Sequence, residues 1–140
     1  MKSIERIMCW EDDLSIQIVL QYVFEMQPVK FLLSDDGREA VKMALDFQPD
    51  LILMDVMMPF LDGPTIFKSL QNDFRTSKIP VVFMTARIQP QELRDYLALG
   101  VKDVIAKPFD PMTLFAQLNQ IYGELRDERV MSGLQKRSSE

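Results

Sequence analysis

Short runs of apolar residues alternate along this chain with longer segments in which apolar positions recur every three or four residues. The short runs are Ile4–Trp10, Val29–Leu33, Leu51–Met54, Ile79–Met84 and Asp103–Ala106. Few polar residues interrupt them, as expected of strands covered on both faces. The longer segments carry apolar stripes. Ile16, Val19, Leu20, Val23 and Met26 form the first, and Ala40, Val41, Ala44 and Leu45 the second. Ile66, Phe67 and Leu70 mark the third, then Leu93, Tyr96 and Leu97 the fourth, and Leu114, Leu118, Ile121, Tyr122 and Leu125 the fifth. That spacing predicts amphipathic helices. The punctuation agrees: Asp13 suits a helix N-terminus, Gln48-Pro49 ends the second helix, Gly63-Pro64 opens the third, and Gly100 offers the fourth a left-handed cap.

Strand and helix therefore alternate five times with short connections, which predicts an α/β fold with a parallel sheet flanked by helices. Right-handed crossovers bring the carboxyl ends of the strands to one edge. No internal repeat or interdomain linker breaks the pattern, so residues 1–125 read as a single domain. Residues 126–140, charged and weakly periodic, read as a helical extension or a disordered tail.

Composition narrows the partners. The 140 residues suffice for one ordinary domain, and 47% apolar with 26% charged content is normal for a soluble one. A net charge of −5 without a Lys/Arg cluster argues against a direct grip on nucleic acid or an anionic membrane. No apolar stretch approaches the length of a membrane span, and Met-Lys-Ser-Ile-Glu-Arg lacks the apolar core of a secretory signal. Cys9 is the only cysteine, which excludes an internal disulfide and a thiolate zinc cluster. Set inside an apolar strand, it reads as a packed small hydrophobe, and a reducing cytoplasm fits. The chain has no histidine, so any phosphohistidine must belong to another protein.

The predicted sheet edge collects Glu11 and Asp12 from the first strand, Asp55 from the third, Thr85 from the fourth and Lys107 from the fifth. Open α/β sheets place their ligand chemistry at such strand ends. Two like charges at ~4 Å repel by ~1 kcal/mol in water and ~4 kcal/mol at the effective dielectric of a protein edge. Crowded carboxylates therefore call for a cation or a shifted proton. With only oxygen donors on offer the cation should be hard, and Mg²⁺ fits best. Lys107 adds a fixed positive charge and Thr85 a hydroxyl donor. Together these groups make a receptor for a tetrahedral dianion, with Asp55 as nucleophile and an aspartyl-phosphate as product. A pure metal-storage site would leave Thr85 and Lys107 idle. A phosphohydrolase of the haloacid-dehalogenase type would need a second Asp where Met57 stands. Met54, Met57, Met58 and Met84 fall near this edge and read as adaptable filler.

The stretches CWEDD, DVMMPFLDG, FMTA and AKPF, in this order and spacing, resemble the receiver domain of bacterial two-component response regulators from Ile4 to about Leu125. The resemblance implies a flavodoxin-like (βα)₅ fold, doubly wound, with strand order 2-1-3-4-5. It implies that Asp55 takes a phosphoryl group from a histidine kinase or a phosphotransfer protein. Asp12, Asp55 and the backbone carbonyl of Met57 would bind Mg²⁺, with Glu11 acting mostly through a metal-bound water. Thr85 and Lys107 would contact the phosphoryl oxygens, and the Lys107-Pro108 peptide would be cis. Such a domain is a signalling phospho-acceptor that catalyses only its own phosphorylation and dephosphorylation. Its output would run to a downstream protein target or to a module outside this chain, and the family often forms homodimers through the face of the fourth helix, fifth strand and fifth helix.

One position departs from the family. Receivers commonly carry Tyr or Phe three residues before the lysine, and here Val104 stands there. That substitution opens an alternative, a phosphorylation-independent protein-binding module using the Val104 surface. Met57 and Arg87 occupy positions that tune the lifetime of the phosphorylated form in the family.

Overall fold

Leu51–Asp55 and Val81–Thr85 are buried at every position, as strands covered by helices on both faces must be. The computed structural model describes residues 3–86 and 88–138, with side chains as far as residue 128. Its strands are β1 (Arg6–Trp10), β2 (Lys30–Ser34), β3 (Leu51–Asp55), β4 (Val81–Thr85) and β5 (Asp103–Ala106). They form one parallel sheet in the order β2-β1-β3-β4-β5, the flavodoxin-like order that the resemblance implies. The helices are α1 (Leu14–Glu25), α2 (Ala40–Phe47), α3 (Gly63–Asn72), α4 (Pro90–Leu99) and α5 (Leu114–Ser138).

Successive side chains of a strand point to opposite faces, and β3 divides the core accordingly. Leu51 and Leu53 join a cluster with Leu20 and Phe24 of α1 and Leu114 and Leu118 of α5. Ile52 and Met54 face the other way, into a cluster with Ile66, Phe67 and Leu70 of α3. Fully burying one such side chain stabilises the fold by roughly 1.5–3 kcal/mol.

The structure adjusts the expected boundaries by one or two residues, for identifiable reasons. β1 begins at Arg6 because Asp50 Oδ2 takes the amides of Glu5 and Arg6, at 2.9 Å each, while the Ile4 amide bonds Asn119 Oδ1 on α5. β2 begins at Lys30 because the Val29 amide is spent on a turn to the Gln27 carbonyl. The apolar stripe expected on α1 is only partly the inner face. Leu20, Val23 and Phe24 are the buried residues, whereas Met26 lies past the helix end and is 65% exposed. α1 is apolar nearly all round, so spacing alone does not choose a side; Phe24 decides it by packing against Phe31 and Phe115. α3 buries the residues its pattern named. α4 buries none completely, and Leu93 and Tyr96 are half-buried. Among the described residues no helix is long and apolar enough to cross a membrane.

Candidate functional site

Parallel register fixes where the polar strand ends meet. Trp10 pairs with Met54 and Asp55 with Met84, so Glu11 and Asp12 emerge beside Asp55. Thr85 pairs with Ala106, so Lys107 emerges beside Thr85, and the Lys107 amide donates to the Thr85 carbonyl at 2.9 Å. The Lys107-Pro108 peptide is cis.

The first loop is held from three sides. The Glu11 amide donates to the Ser34 carbonyl at 2.9 Å, and Gln17 Nε2 donates to the Glu11 carbonyl at 2.6 Å. Asp13 caps α1, its Oδ1 accepting the Ile16 amide at 3.0 Å, as the sequence anticipated. So braced, the Glu11 side chain turns inward and is 1% exposed, while Asp12 faces solvent. Asp55 is 5% exposed, and one oxygen from each of Glu11, Asp12 and Asp55 lies within 4.8 Å of the others.

Lys107 ties the acids together. Its Nζ donates to Glu11 Oε1 at 3.1 Å and Oε2 at 3.0 Å, and to Asp55 Oδ2 at 2.8 Å. Asp55 Oδ1 accepts the Met57 amide at 3.0 Å. Both oxygens of the carboxylate are thereby oriented. The Met57 side chain takes no part and is 75% exposed. Thr85 is buried at the end of β4, one residue past the register partner of Asp55. Arg87 lies outside the described residues.

Electrostatics follow from this crowding. Burial, and then the neighbouring Asp55 carboxylate, push the Glu11 carboxyl up to about 8, with Lys107 pulling the other way. Burial pulls the Lys107 ammonium down, but its bonds to Asp55 and Glu11 prevail and its pKa is raised. Beneath the site, burial pushes the Cys9 thiol well above its ordinary range, and Glu11 adds to the effect.

Several contributors lie beyond what the pattern of the sequence singled out. Gln17 is one, the Met57 amide another. Gly63, read from the sequence only as the opening of the third helix, does more: a Cβ there would stand 2.7 Å from the Asp55 carbonyl oxygen and 2.9 Å from the Val56 Cα, closer than real Cβ atoms come to backbone. Only a residue without a side chain lets α3 start so near Asp55. Val104, the departure from the family pattern, is a buried strand residue opposite Phe83, whose ring meets Tyr96 edge-on at 5.3 Å. The donor set is oxygen only, compact and open to solvent through Asp12, which suits a small hard divalent cation that keeps waters.

Residues 7–119 match the family described as the response regulator receiver domain. The chain belongs to that family. Relatives of this receiver include the alkaline phosphatase synthesis transcriptional regulatory protein PhoP of Bacillus subtilis, 34% identical over 84% of this chain and 48% of PhoP. The DNA-binding dual master transcriptional regulator RpaA of Synechocystis is 34% identical over 83% of this chain and 48% of RpaA. The receiver thus spans about half the length of either. Among solved structures, a response regulator from Desulfuromonas acetoxidans superposes with a TM-score of 0.78 at 27% identity, covering 86% of this receiver and 98% of that chain. The receiver domain of the sensor histidine kinase PA1611 from Pseudomonas aeruginosa, which carries a magnesium ion in its active site cleft, gives 0.75 at 28% identity over 85% and 98% of the two chains.

Proposed function

We propose that this receiver is a phosphorylation switch in which Asp55 accepts a phosphoryl group from a phosphohistidine on a histidine kinase or phosphotransfer protein. The observation that carries the reading is the Lys107 ammonium 2.8 Å from Asp55 Oδ2, beside the buried Glu11 and the solvent-facing Asp12. In the transfer, the donor's P–N bond breaks as a P–O bond to Asp55 forms, and the imidazole leaves with the bonding pair. Lys107 stands where it can follow the charge from carboxylate to phosphoryl oxygens. The Met57 amide keeps Asp55 aligned, and the Thr85 hydroxyl on the next strand donates to the incoming group.

Glu11, Asp12, Asp55 and the Met57 carbonyl would hold Mg²⁺, which supplies positive charge against the phosphoryl oxygens when bound. The magnesium in the PA1611 receiver supports that choice of ion. Output passes to a downstream protein, or to a module of the kind that the other half of PhoP or RpaA would provide.

The test is incubation with Mg²⁺ and acetyl phosphate followed by intact-mass measurement. The expected result is a gain of one phosphoryl group, absent in Asp55→Asn and absent in EDTA. An unaltered mass in the natural sequence, with partner binding intact, would favour the phosphorylation-independent module instead.

A further inference from the structure

The loop after Asp55 contains a backbone conformation that its sequence does not favour. Phe60 has φ +67°, the left-handed region that bulky residues avoid. The loop around it is tightly closed, with Gly63 donating to the Val56 carbonyl at 2.8 Å and Leu61 to the Pro59 carbonyl at 2.7 Å. Core packing does not hold the ring in place, since Phe60 is 73% exposed. Its partner is a cation: the Arg38 guanidinium carbon lies 4.1 Å from the ring centroid.

Arg38 is itself pinned. Its Nε and Nη2 grip the Asp36 carboxylate at 2.6–3.1 Å, and its amide donates to Asp36 Oδ1 at 2.9 Å. The Asp36 carbonyl accepts Trp10 Nε1 at 3.1 Å and Ser34 Oγ at 3.0 Å. Gly37 sits so tightly on α3 that a Cβ would overlap Ile66 Cδ1. An isolated surface ion pair contributes little. This one is the middle of a strap running from Trp10, next to Glu11, across the loop after β2, to the loop that follows Asp55.

We propose that Arg38 is a positioning residue: through the Phe60 ring it holds that loop in the shape in which the Met57 amide meets Asp55 Oδ1. The inference rests on Asp55 being the acceptor only for its catalytic consequence; the geometry it assigns can be measured separately.

The experiment compares the natural sequence with Arg38→Ala, Arg38→Lys, Phe60→Leu and the Arg38→Ala/Phe60→Leu double variant. Three quantities are read: hydrogen exchange and chemical shift of the Met57 amide, phosphorylation rate with acetyl phosphate and Mg²⁺, and Tm. Arg38→Ala should speed Met57 exchange and slow phosphorylation, each by about two- to fivefold, the weight of an exposed cation–π contact. Arg38→Lys should recover part of this, since the ammonium keeps the charge but loses the planar fork. Adding Arg38→Ala to Phe60→Leu should change little. A lower Tm with an unmoved Met57 amide would make the strap a mere surface staple and overturn the proposal, as would an Arg38→Ala effect that persists without the ring. Failure of the natural sequence to accept phosphate would sink the acceptor reading alone, with Met57 exchange still deciding the role of Arg38.

Discussion

Lys107 Nζ reaches both carboxylate oxygens of Glu11, at 3.1 and 3.0 Å, across 96 residues of sequence. This pairing joins the two outer contributors to the site, the end of β1 and the loop after β5, above Asp55. Glu11 is the most deeply buried of the three acids, and Lys107 opposes the upward push that burial gives its carboxyl.

Removing that lysine leaves the buried Glu11 and Asp55 without the cation that both of them bond. Breaking one side of a buried pair costs roughly 3–5 kcal/mol. Lys107→Met should therefore lower stability by about that amount in EDTA, measured by urea denaturation, and Mg²⁺ should restore part of it. A variant as stable as the natural sequence in EDTA would mean that the acids do not share the site as described.

The pH dependence has a definite sign. Glu11 titrates near 4.5 ordinarily and about 8 in the fold, so between those values the folded protein binds more protons than the unfolded chain. Stability from this group is complete below about 4.5 and is lost as pH rises through about 8. In metal-free buffer Tm should fall from pH 5 to pH 8, and Glu11→Gln should flatten the slope. With Mg²⁺ present the decline should shrink, because the ion favours the ionised form.

Gly63→Ala tests how closely α3 approaches Asp55. The added methyl would press on the Asp55 carbonyl and the Val56 Cα, neither of which can rotate aside. Overpacking of this kind costs about 1–3 kcal/mol. On the proposed function, phosphorylation should also slow, since the displaced atoms belong to the backbone of Asp55 and its neighbour Val56. Unchanged values of both would refute the close approach.

Cys9 offers an internal clock for opening of the core. Its buried thiol, with ionisation suppressed, should resist a disulfide reagent in the folded protein and react once the sheet opens. Mg²⁺ should slow the labelling. Rapid labelling under native conditions would contradict the packing of β1.

The order of elements was legible because β3 and β4 are apolar runs with a proline just before each, Pro49 and Pro80, and β5 matched its expected span to the residue. The carboxyl-end residues were legible for the same reason: a parallel sheet leaves them nowhere else to go. What escaped were contacts made by backbone and by residues without a periodic signature. The Met57 position was singled out through its carbonyl, yet the visible bond is from its amide. Gln17 is one polar residue on a mostly apolar helix, and no spacing rule connects it to the Glu11 carbonyl. Arg38 and Phe60 meet across 22 positions through a left-handed backbone that an aromatic residue gives no reason to expect.

One helix is fastened less firmly than the rest. α4 sinks no side chain fully beneath the surface, and half-covered Leu93 and Tyr96 are its chief anchors. It begins five residues beyond Thr85, whereas the sheet beneath it is sealed on both sides. A push arriving at the tip of β4 would find this the cheapest panel to slide, with the Tyr96 ring riding over Phe83 as it goes.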